Sequence, residues 1–404
     1  MNAEAFGAAS PGRLVRVDSA GEAFVPNVLP PDLVWDGRLA RLLSEAGHAL
    51  GELKTLARFL PNPYLFTRPF VVREAVLSSQ IEGTQASISD VYALEAQAAL
   101  FPQGEQRADA EEVSNYVRAL EHGLRSELPI SARLLREMHA LLMSGVRGQH
   151  RQPGEFRRSQ NWIGPPGAER RDATYVPPPP GDELREAISA LERFIHADND
   201  LPPLIEIALI HYQFEAIHPF VDGNGRIGRL LITLLLLQRG LLSQPLLYLS
   251  AYFERHRGSY YDLLLGVTLR GEWRQWLDFF LRGVALEARD ATVRAQHLLD
   301  LRENWRKTYQ QGRVSGTLLS ALDVLFSAPV LTVRQLEAHL EVSYTSAQKI
   351  IERLESGGIL EEVSGKQRNR IYRAPAIFAI LDAQELRAEV PDRGSAVETI
   401  TGGE

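Results

Sequence analysis

The segment His218-Pro-Phe-Val-Asp-Gly-Asn-Gly-Arg-Ile-Gly-Arg229 is polar and lies between two apolar stretches. The apolar residues on both sides recur at helical spacing, so the segment is predicted to join two buried helices. Pro219 stops the first helix directly after His218. Gly223 and Gly225 let backbone amides turn toward one point at the start of the second helix, where unpaired N–H groups and the helix dipole favour an anion.

The charged side chains of this segment are suited to phosphate chemistry. Arg226 and Arg229 are three residues apart on one helix face and can reach the same anion. Asp222 is the kind of hard ligand that binds the Mg²⁺ accompanying polyphosphates. His218 can accept a proton near neutral pH. A base, a metal ligand, an anion cradle and two arginines in one short segment predict phosphoryl or nucleotidyl transfer.

The segment resembles the signature of Fic-domain proteins, His-Pro-Phe-x-Asp/Glu-Gly-Asn-Gly-Arg-x-x-Arg, and matches it at every position. The resemblance implies a protein adenylyltransferase that moves AMP from ATP to a Tyr, Thr or Ser hydroxyl of a protein target. His218 would deprotonate that hydroxyl, and Asp222 would hold Mg²⁺. The residues implied to bind the nucleotide phosphates are Gly223, Asn224, Gly225, Arg226 and, at the γ-phosphate, Arg229. The intact Gly-Asn-Gly-Arg favours an AMP transferase over a Doc-type kinase of the same superfamily.

A second motif lies upstream, at the end of a helix predicted over Arg68–Glu82. Ser78 and Glu82 share a helix face, and Gly83 can take the left-handed conformation that ends a helix. On pattern alone, such residues are typical of a solvated helix end. Beside the first motif, however, they resemble the family's inhibitory motif, Ser/Thr-x-x-x-Glu-Gly/Asn. That resemblance implies that Glu82 pairs with Arg229, occupies the γ-phosphate position and holds ATP in an unproductive pose.

Two further segments resemble parts of Fic domains. Residues 153–163 are similar to a β-hairpin flap, which could add a target segment as an extra strand; a plain surface hairpin is the alternative. The flap residues implied to meet the target are Gln160, Asn161, Trp162 and Ile163. Tyr260 and Tyr261 occupy a place where relatives have aromatic residues at the adenine site, although core tyrosines fit the same pattern. His211 is interpreted as a buried structural histidine rather than a second base.

The C-terminal part of the chain resembles a winged helix, whose third helix enters the DNA major groove in DNA-binding members. The predicted third helix, Ser343–Ser356, carries two basic and two acidic side chains and has no net charge. Basic residues are concentrated in the predicted wing: Lys366, Arg368, Arg370 and Arg373. Because DNA binding requires the neutralisation of many phosphates, a role in contacting protein is favoured over DNA binding.

The predicted fold class is mainly α: a helical Fic core with a small β-hairpin flap and an α+β winged-helix domain. A chain of 404 residues is too long for one compact core. We predict five parts: an N-terminal helical module with the inhibitory helix (1–104, irregular over 1–31), the Fic core (105–293), a linker (294–316), the winged-helix domain (317–382) and a disordered tail (383–404).

Composition sets the remaining expectations. We find no apolar run long enough to span a bilayer and no signal peptide, which predicts a cytoplasmic protein without a membrane partner. The absence of cysteine excludes disulfides and thiolate metal sites. The net charge of −7 argues against a chain-wide nucleic-acid surface. The family resemblance implies a homodimer, and the chain itself is expected among its protein targets.

Three functions therefore fit the sequence. The first is an AMP transferase that Glu82 restrains. The second uses the same site in reverse, with Glu82 orienting a water that removes AMP from a modified target. The third is a DNA-binding regulator whose Fic core senses ATP.

Overall fold

In a computed structural model of the chain, the described residues are 3–18, 21–58, 63–97, 104–146, 152–164, 172–310 and 316–383. They form a mainly helical protein with small antiparallel sheets, which confirms the predicted mainly α fold class; the winged-helix assignment of the C-terminal part stays a prediction. Except for Ala383, the tail predicted over 383–404 lies outside the described residues. None of the described helices combines the length and the apolar character needed to span a membrane.

Helices make up most of the chain as far as residue 310. They are α1 (Gly37–Arg58), α2 (Pro63–Ile81), α3 (Ile88–Gln97), α4 (Glu105–Arg125), α5 (Ala132–Leu142), α6 (Asp182–His196), α7 (Pro203–Ile217), α8 (Asn224–Gln238), α9 (Ser250–Arg255), α10 (Arg257–Arg270) and α11 (Trp273–Gln310). Helices α7 and α8 pack against each other, and nearly all of their residues are buried. A helix that is apolar on all faces belongs in the centre of a fold, so these two helices place the motif between them at the core.

The N-terminal segment contains an antiparallel pair of strands, β1 (Gly12–Asp18) and β2 (Gly21–Pro26). The expectation that residues 1–31 are irregular is therefore wrong. Pro26 is the last residue of β2, where a missing N–H does not interrupt the ladder. The side chains of Ala23, Phe24 and Val25 are buried, and the Phe24 N–H donates to the Val176 carbonyl at 2.9 Å. Burial of this apolar triplet explains why the segment is ordered despite its prolines.

Helix α11 continues through most of the segment predicted as a linker. It is helical without a break from Trp273 to Gln310, so residues 294–310 extend the core helix. The guanidinium of Arg294 donates to the carbonyls of Leu381 and Ala383, at 3.2 and 2.7 Å. The Arg302 Nε donates to Asp323 Oδ1 at 2.7 Å. These hydrogen bonds hold the C-terminal half of α11 against the C-terminal part of the chain.

The C-terminal part consists of short helices and a three-stranded antiparallel sheet. Its elements are α12 (Gly316–Ser327), β3 (Val330–Thr332), α13 (Val333–Leu340), α14 (Tyr344–Ser356), β4 (Glu361–Glu362), β5 (Ile371–Arg373) and α15 (Pro375–Asp382), with β5 between β3 and β4. Helices α12 and α15 pack on α2, and β3 packs on α3. The Tyr92 and Phe378 rings meet edge to face at 6.1 Å. This part therefore rests directly on the helix that carries Ser78.

Candidate active site

The motif loop, residues 218–223, begins where α7 ends and finishes where α8 begins. His218 caps α7 in the left-handed conformation, with a φ of 49°. Gly223 starts α8 with a φ of 75°, a backbone conformation that glycine adopts without strain. The Asn224 side chain closes the loop: its Oδ1 accepts the Phe220 N–H at 2.8 Å, and its Nδ2 donates to the Phe220 carbonyl at 2.9 Å. The structure thus shows Asn224 bound to the loop backbone, and its contact with phosphates stays a prediction.

His139 on α5 ties the motif loop to a second segment of the chain. The Gly154 N–H donates to His139 Nδ1 at 2.9 Å, so Nε2 carries the proton and donates to the Asp222 carbonyl at 3.0 Å. The imidazole stacks on the Phe220 ring, with centroids 3.8 Å apart. Burial lowers the pKa of His139 to about 4. The ring is therefore neutral at pH 7 and keeps this tautomer.

Arg157 anchors the same segment to the motif loop. Its backbone N–H donates to the Pro219 carbonyl and its Nε to the His218 carbonyl, both at 2.9 Å. Its Nη2 donates to the Pro178 carbonyl at 2.5 Å. The side chain is buried, which lowers the pKa of Arg157 to about 10. A cation is thus held against the backbone of His218.

The predicted flap is seen in part. Ile163 and Tyr175 pair through two backbone hydrogen bonds, at 2.8 and 3.0 Å, whereas residues 165–171 lie outside the described residues. Gln160 Nε2 donates to the Pro177 carbonyl at 2.9 Å, and Asn161 Nδ2 donates to the Phe220 carbonyl at 3.1 Å. Trp162 and Ile163 are 41% and 38% exposed. Of the four residues implied to meet a target, two bind the protein itself and two face solvent.

His218 stands at the end of α7 as a neutral imidazole. Burial, followed by the nearby Arg157 cation, lowers the pKa of His218 to about 4. Glu82 and Asp222 oppose that shift electrostatically. An unprotonated ring is the form that can accept a proton at neutral pH.

Arg229 on α8 is held by the end of α2. Its Nε donates to Ser78 Oγ at 2.8 Å, and its Nη2 donates to the Ser78 carbonyl at 2.9 Å and to Glu82 Oε1 at 2.7 Å. Gly83 follows with a φ of 101°, the left-handed turn that was predicted to end this helix. The second motif and the first are therefore in direct contact, with an ion pair between them.

The Glu82 carboxylate lies over the N-terminus of α8. A Cβ atom at Gly225 would overlap Glu82 Oε1, so glycine at this position provides the space that the carboxylate occupies. The Glu82 side chain is 34% exposed, whereas that of Arg229 is 1% exposed. Burial alone would raise the pKa of Glu82, but Arg229 and, more weakly, Arg226 hold it below its ordinary value. A protein carboxylate therefore sits where unpaired helix amides favour an anion.

Arg226 has a carboxylate partner of its own. It forms a buried ion pair with Glu112 on α4, and the Thr84 hydroxyl donates to the same Glu112 oxygen at 3.4 Å. Arg226 Nη2 also lies 3.6 Å from Asp222 Oδ1. The two arginines of the motif thus face the same loop, and each is neutralised by a glutamate from outside it.

Asp222 is the carboxylate of the motif loop itself. Its side chain is 36% exposed, and its Oδ1 accepts the Gly223 N–H at 2.7 Å. Within the described residues, no group of three or more His, Cys, Asp or Glu side chains is arranged to hold a metal ion. A single exposed carboxylate suits Mg²⁺, which is commonly bound through one or two carboxylates together with substrate phosphates and water.

The two predicted adenine-site tyrosines have different environments. Tyr260 is 1% exposed, and its hydroxyl is 2.9 Å from His211 Nε2. His211 Nδ1 is 3.1 Å from the Gly228 carbonyl, and burial lowers the pKa of His211 to about 3. His211 is thus a buried structural histidine, as interpreted. Tyr261 is 41% exposed, so it is the accessible tyrosine of this pair, and its contact with adenine stays a prediction.

Comparison with known protein families identifies the two motif-bearing regions. The Fic/DOC family N-terminal model matches residues 40–125, and the Fic/DOC family model matches residues 129–236. These two matches identify a Fic/DOC N-terminal region and a Fic/DOC region within residues 40–236 of the chain. In solved structures, a Fic family protein from Desulfovibrio desulfuricans has a similar fold, with a TM-score of 0.53 and 22% identity over 86% of this chain and 98% of that protein.

Curated Fic relatives match a part of the chain. The protein adenylyltransferase Fic of Drosophila grimshawi is 32% identical over 158 residues, which are 39% of this chain and 29% of that protein. The protein adenylyltransferase Fic of Culex quinquefasciatus is 36% identical over 128 residues, 31% of this chain and 22% of that protein. The match therefore spans less than a third of these relatives' own length.

Several residues that shape the Fic site were missed by sequence reasoning. Glu112, His139 and Arg157 each contact the motif or its backbone from a distant part of the chain. Arg157 lies within residues 153–163, the segment that resembles a flap, but the sequence assigned it no contact with the motif loop. Neither spacing nor local pattern marks such partners, because their function depends on the tertiary fold.

His139→Phe is expected to destabilise the protein by about 1–3 kcal/mol. Phenylalanine keeps the stacking on Phe220 but leaves the buried Gly154 N–H and the Asp222 carbonyl without their partner. Because the folded pKa of His139 is about 4 and the unfolded value about 6.5, this histidine stabilises the fold above pH 6.5 and loses that contribution as the pH falls toward 4. Thermal unfolding at pH 7.5 and pH 5 should show a smaller pH dependence in the variant. An equal dependence would contradict the assignment.

Proposed function

We propose that this chain is an ATP-dependent protein adenylyltransferase that Glu82 restrains. The observation that carries the proposal is the pairing of a neutral His218 at the end of α7 with an anion site at the start of α8, joined by one short loop. Relatives named protein adenylyltransferase Fic support the same activity. The target is a protein hydroxyl, of Tyr, Thr or Ser, and the chain itself is among the targets.

Binding would use the N-terminus of α8. The backbone amides at the start of this helix, together with the helix dipole, favour the phosphates of ATP. Arg226 and Arg229 would add charge-assisted hydrogen bonds to phosphate oxygens, with Arg229 at the γ-phosphate. Tyr261 would supply an aromatic surface for the adenine. These contacts fix the α-phosphate near His218, which is the geometric condition for transfer.

In the transfer step, His218 accepts the proton of the target hydroxyl. The oxygen then bonds to the α-phosphorus of ATP while the bond from that phosphorus to the bridging oxygen breaks, and pyrophosphate leaves. The pKa of about 4 keeps His218 unprotonated before the reaction. The negative charge of a bound polyphosphate would raise that pKa and make the imidazole a stronger base.

The carboxylate of Asp222 in the motif loop is a suitable ligand for Mg²⁺. Asp222 would hold the ion together with phosphate oxygens, and the ion would neutralise charge on the departing pyrophosphate. Asp222 is held in place because the Gly223 N–H binds its side-chain Oδ1 and His139 binds its backbone carbonyl.

Asp222→Ala is expected to lose Mg²⁺-dependent transfer, since it removes the carboxylate of the motif loop. Asp222→Glu is the matched control, because it keeps a carboxylate and should retain measurable activity. Transfer is followed across a titration of Mg²⁺ for the three proteins. An unchanged rate and metal requirement in the alanine variant would assign Asp222 another role.

The proposed restraint follows from the Glu82–Arg229 ion pair. Glu82 takes the hydrogen bond that a γ-phosphate needs from Arg229 Nη2. ATP bound beside this pair would lack its third anchor, so its α-phosphate would not align with the hydroxyl that His218 activates.

Removal of AMP from a modified target is the second candidate. Glu82 lies close enough to His218 for each to influence the pKa of the other, and its own pKa is lowered. An ionised carboxylate in that place could orient a water toward an AMP phosphodiester. Release of AMP from a modified protein, dependent on Glu82, would favour this function.

Intact mass spectrometry tests the reaction type. The purified chain is incubated with ATP and Mg²⁺, and its mass is compared with that of the His218→Ala variant. An AMP-sized adduct on the first protein that is absent from the second supports the proposed function. Absence of an adduct on both this chain and a Glu82→Gly variant would contradict self-modification.

Weak DNA binding at most is expected from the C-terminal part, because α14 carries as many acidic as basic side chains. Fluorescence anisotropy of the full chain with duplex DNA at physiological salt should give a dissociation constant no tighter than about 10⁻⁶ M, the range of non-specific binding. Sequence-specific binding at about 10⁻⁸ M would instead favour the DNA-binding regulator.

A further inference from the structure

Glu215 is a partly buried residue with a carboxyl group that the proposed reaction does not use. It lies on α7, one turn before His218, and its Oε1 is buried with no hydrogen-bond partner among the described residues. A Cβ atom at Gly228 would overlap that oxygen, so α8 has glycine where the carboxyl of Glu215 approaches it. Glycine at position 228 thus leaves room for the Oε1 atom of Glu215, which has no hydrogen-bond donor among the described residues.

Arg229, the residue after Gly228, has a complementary unpaired atom. Its Nε and Nη2 bind Ser78 and Glu82, while its Nη1 is buried without a partner among the described residues. Glu215 and Arg229 each shift the pKa of the other. Arg229 Nη1 thus lacks an acceptor and Glu215 Oε1 lacks a donor among the described residues. The two side chains interact electrostatically and form one cluster.

The charge state of this cluster depends on Glu82. Burial raises the pKa of Glu215 to about 8, Arg229 opposes that rise and Glu82 adds to it. Glu215 in turn helps to raise the pKa values of Tyr260 and Tyr261 of α10. Both tyrosines are uncharged at pH 7. With Glu82 in place, Glu215 is therefore mostly protonated, and Arg229 has one anionic partner.

We propose that Glu215 is a positioning residue that replaces Glu82 as the counter-ion of Arg229 when the end of α2 moves away. This inference rests on the proposed function, because it concerns Arg229 between the loss of Glu82 and the arrival of ATP. A buried guanidinium without a counter-charge is strongly disfavoured. As Glu82 withdraws, Glu215 releases its proton to solvent and its carboxylate attracts Nη1. When the γ-phosphate reaches Arg229, Glu215 takes a proton back from solvent.

Proton uptake on ATP binding distinguishes this role from a structural one. The full chain with Glu82→Gly and His218→Ala binds MgATP without consuming it, and calorimetry in buffers of different ionisation enthalpy counts the protons. Near pH 7.5 we expect uptake of up to about one proton per ATP. Adding Glu215→Gln should remove that uptake, whereas Glu215→Asp, which still titrates, should retain part of it.

Glu287→Gln is the matched control. Burial raises the pKa of Glu287 to about 7, but this carboxyl pairs with Arg255, away from the motif loop, so uptake should not change. The affinity for MgATP should also fall by up to tenfold per pH unit above the pKa of Glu215, and Glu215→Gln should flatten that profile.

Equal proton uptake with Glu215 and with Gln at this position would overturn the inference and leave the proposed function intact. Failure of every variant to bind MgATP would overturn the proposed function, and the inference with it. Loss of the uptake in Glu215→Gln alone, with unchanged thermal unfolding, would support it.

Discussion

His218→Ala is expected to abolish AMP transfer while leaving the fold and ATP binding largely intact. The imidazole is the group of the motif loop that is neutral at pH 7 and can accept the hydroxyl proton. Removing a general base typically costs about 10²–10⁴-fold in rate. Stability should change little, because His218 Nδ1 has no hydrogen-bond partner among the described residues, and the left-handed backbone is fixed by Arg157.

The measurement is single-turnover incorporation of α-labelled AMP in a Glu82→Gly background, where transfer is not masked by restraint. ATP binding and thermal unfolding of the same variants are the controls. His218→Asn serves as a second variant, because asparagine accepts a left-handed backbone more readily than alanine. Near-normal transfer by both variants would reject His218 as the base.

The motif loop could be predicted from the sequence because its chemistry is local. Pro219 determines where the first helix stops, and Gly223 determines where the second helix starts. Each of these features follows from a single residue. The apolar residues around the loop indicated buried helices, and α7 and α8 are buried on nearly all faces. The contact of Glu82 with Arg229 came from family resemblance, since the two residues are 147 positions apart.

The partners that complete the site could not be predicted, because each depends on packing between distant elements. Glu112 is 114 positions from Arg226, and His139 is 83 positions from Asp222. The same limitation applies to β1 and β2, which are ordered by burial of Phe24 beside Tyr175. The composition of residues 1–31 revealed the prolines of this segment, but it could not reveal which distant residues bury Phe24.

The C-terminal part of the chain is in direct contact with α2, a helix of the predicted N-terminal module. Helices α12 and α15 pack on α2, the helix that ends at Ile81, directly before Glu82. Thr84, two residues farther on, binds the Glu112 that neutralises Arg226. A displacement of the end of α2 would therefore change the partners of both arginines at once.

Glu82→Gly is expected to raise self-modification by about 10²-fold over a low level in the unaltered protein. The carboxylate lies over Gly225 and takes the hydrogen bond of Arg229 Nη2. Glycine removes this anion, so the γ-phosphate can bind Arg229 and the α-phosphate can align with the hydroxyl near His218. A misplacement of about 1 Å costs roughly 10²-fold in rate, and correcting it should recover a similar factor.

The expected gain has a matched control and a dependent variant. Gln85→Gly makes the same kind of substitution at an exposed position of the same turn and should leave self-modification unchanged. The double variant Glu82→Gly with Arg229→Ala should lose much of the gain, because a freed Arg229 is what the mechanism requires.

Incorporation of α-labelled AMP into the chain is followed over time at saturating ATP for these proteins. Glycine at residue 82 follows the last residue of α2 and precedes Gly83, where it weakens a helix less than it would in the interior. A change in rate therefore reports the lost carboxylate rather than unfolding, which thermal denaturation checks. If Glu82→Gly is no faster than the unaltered protein, restraint by Glu82 is wrong, and its role in orienting a water for AMP removal becomes the better account of the ion pair with Arg229.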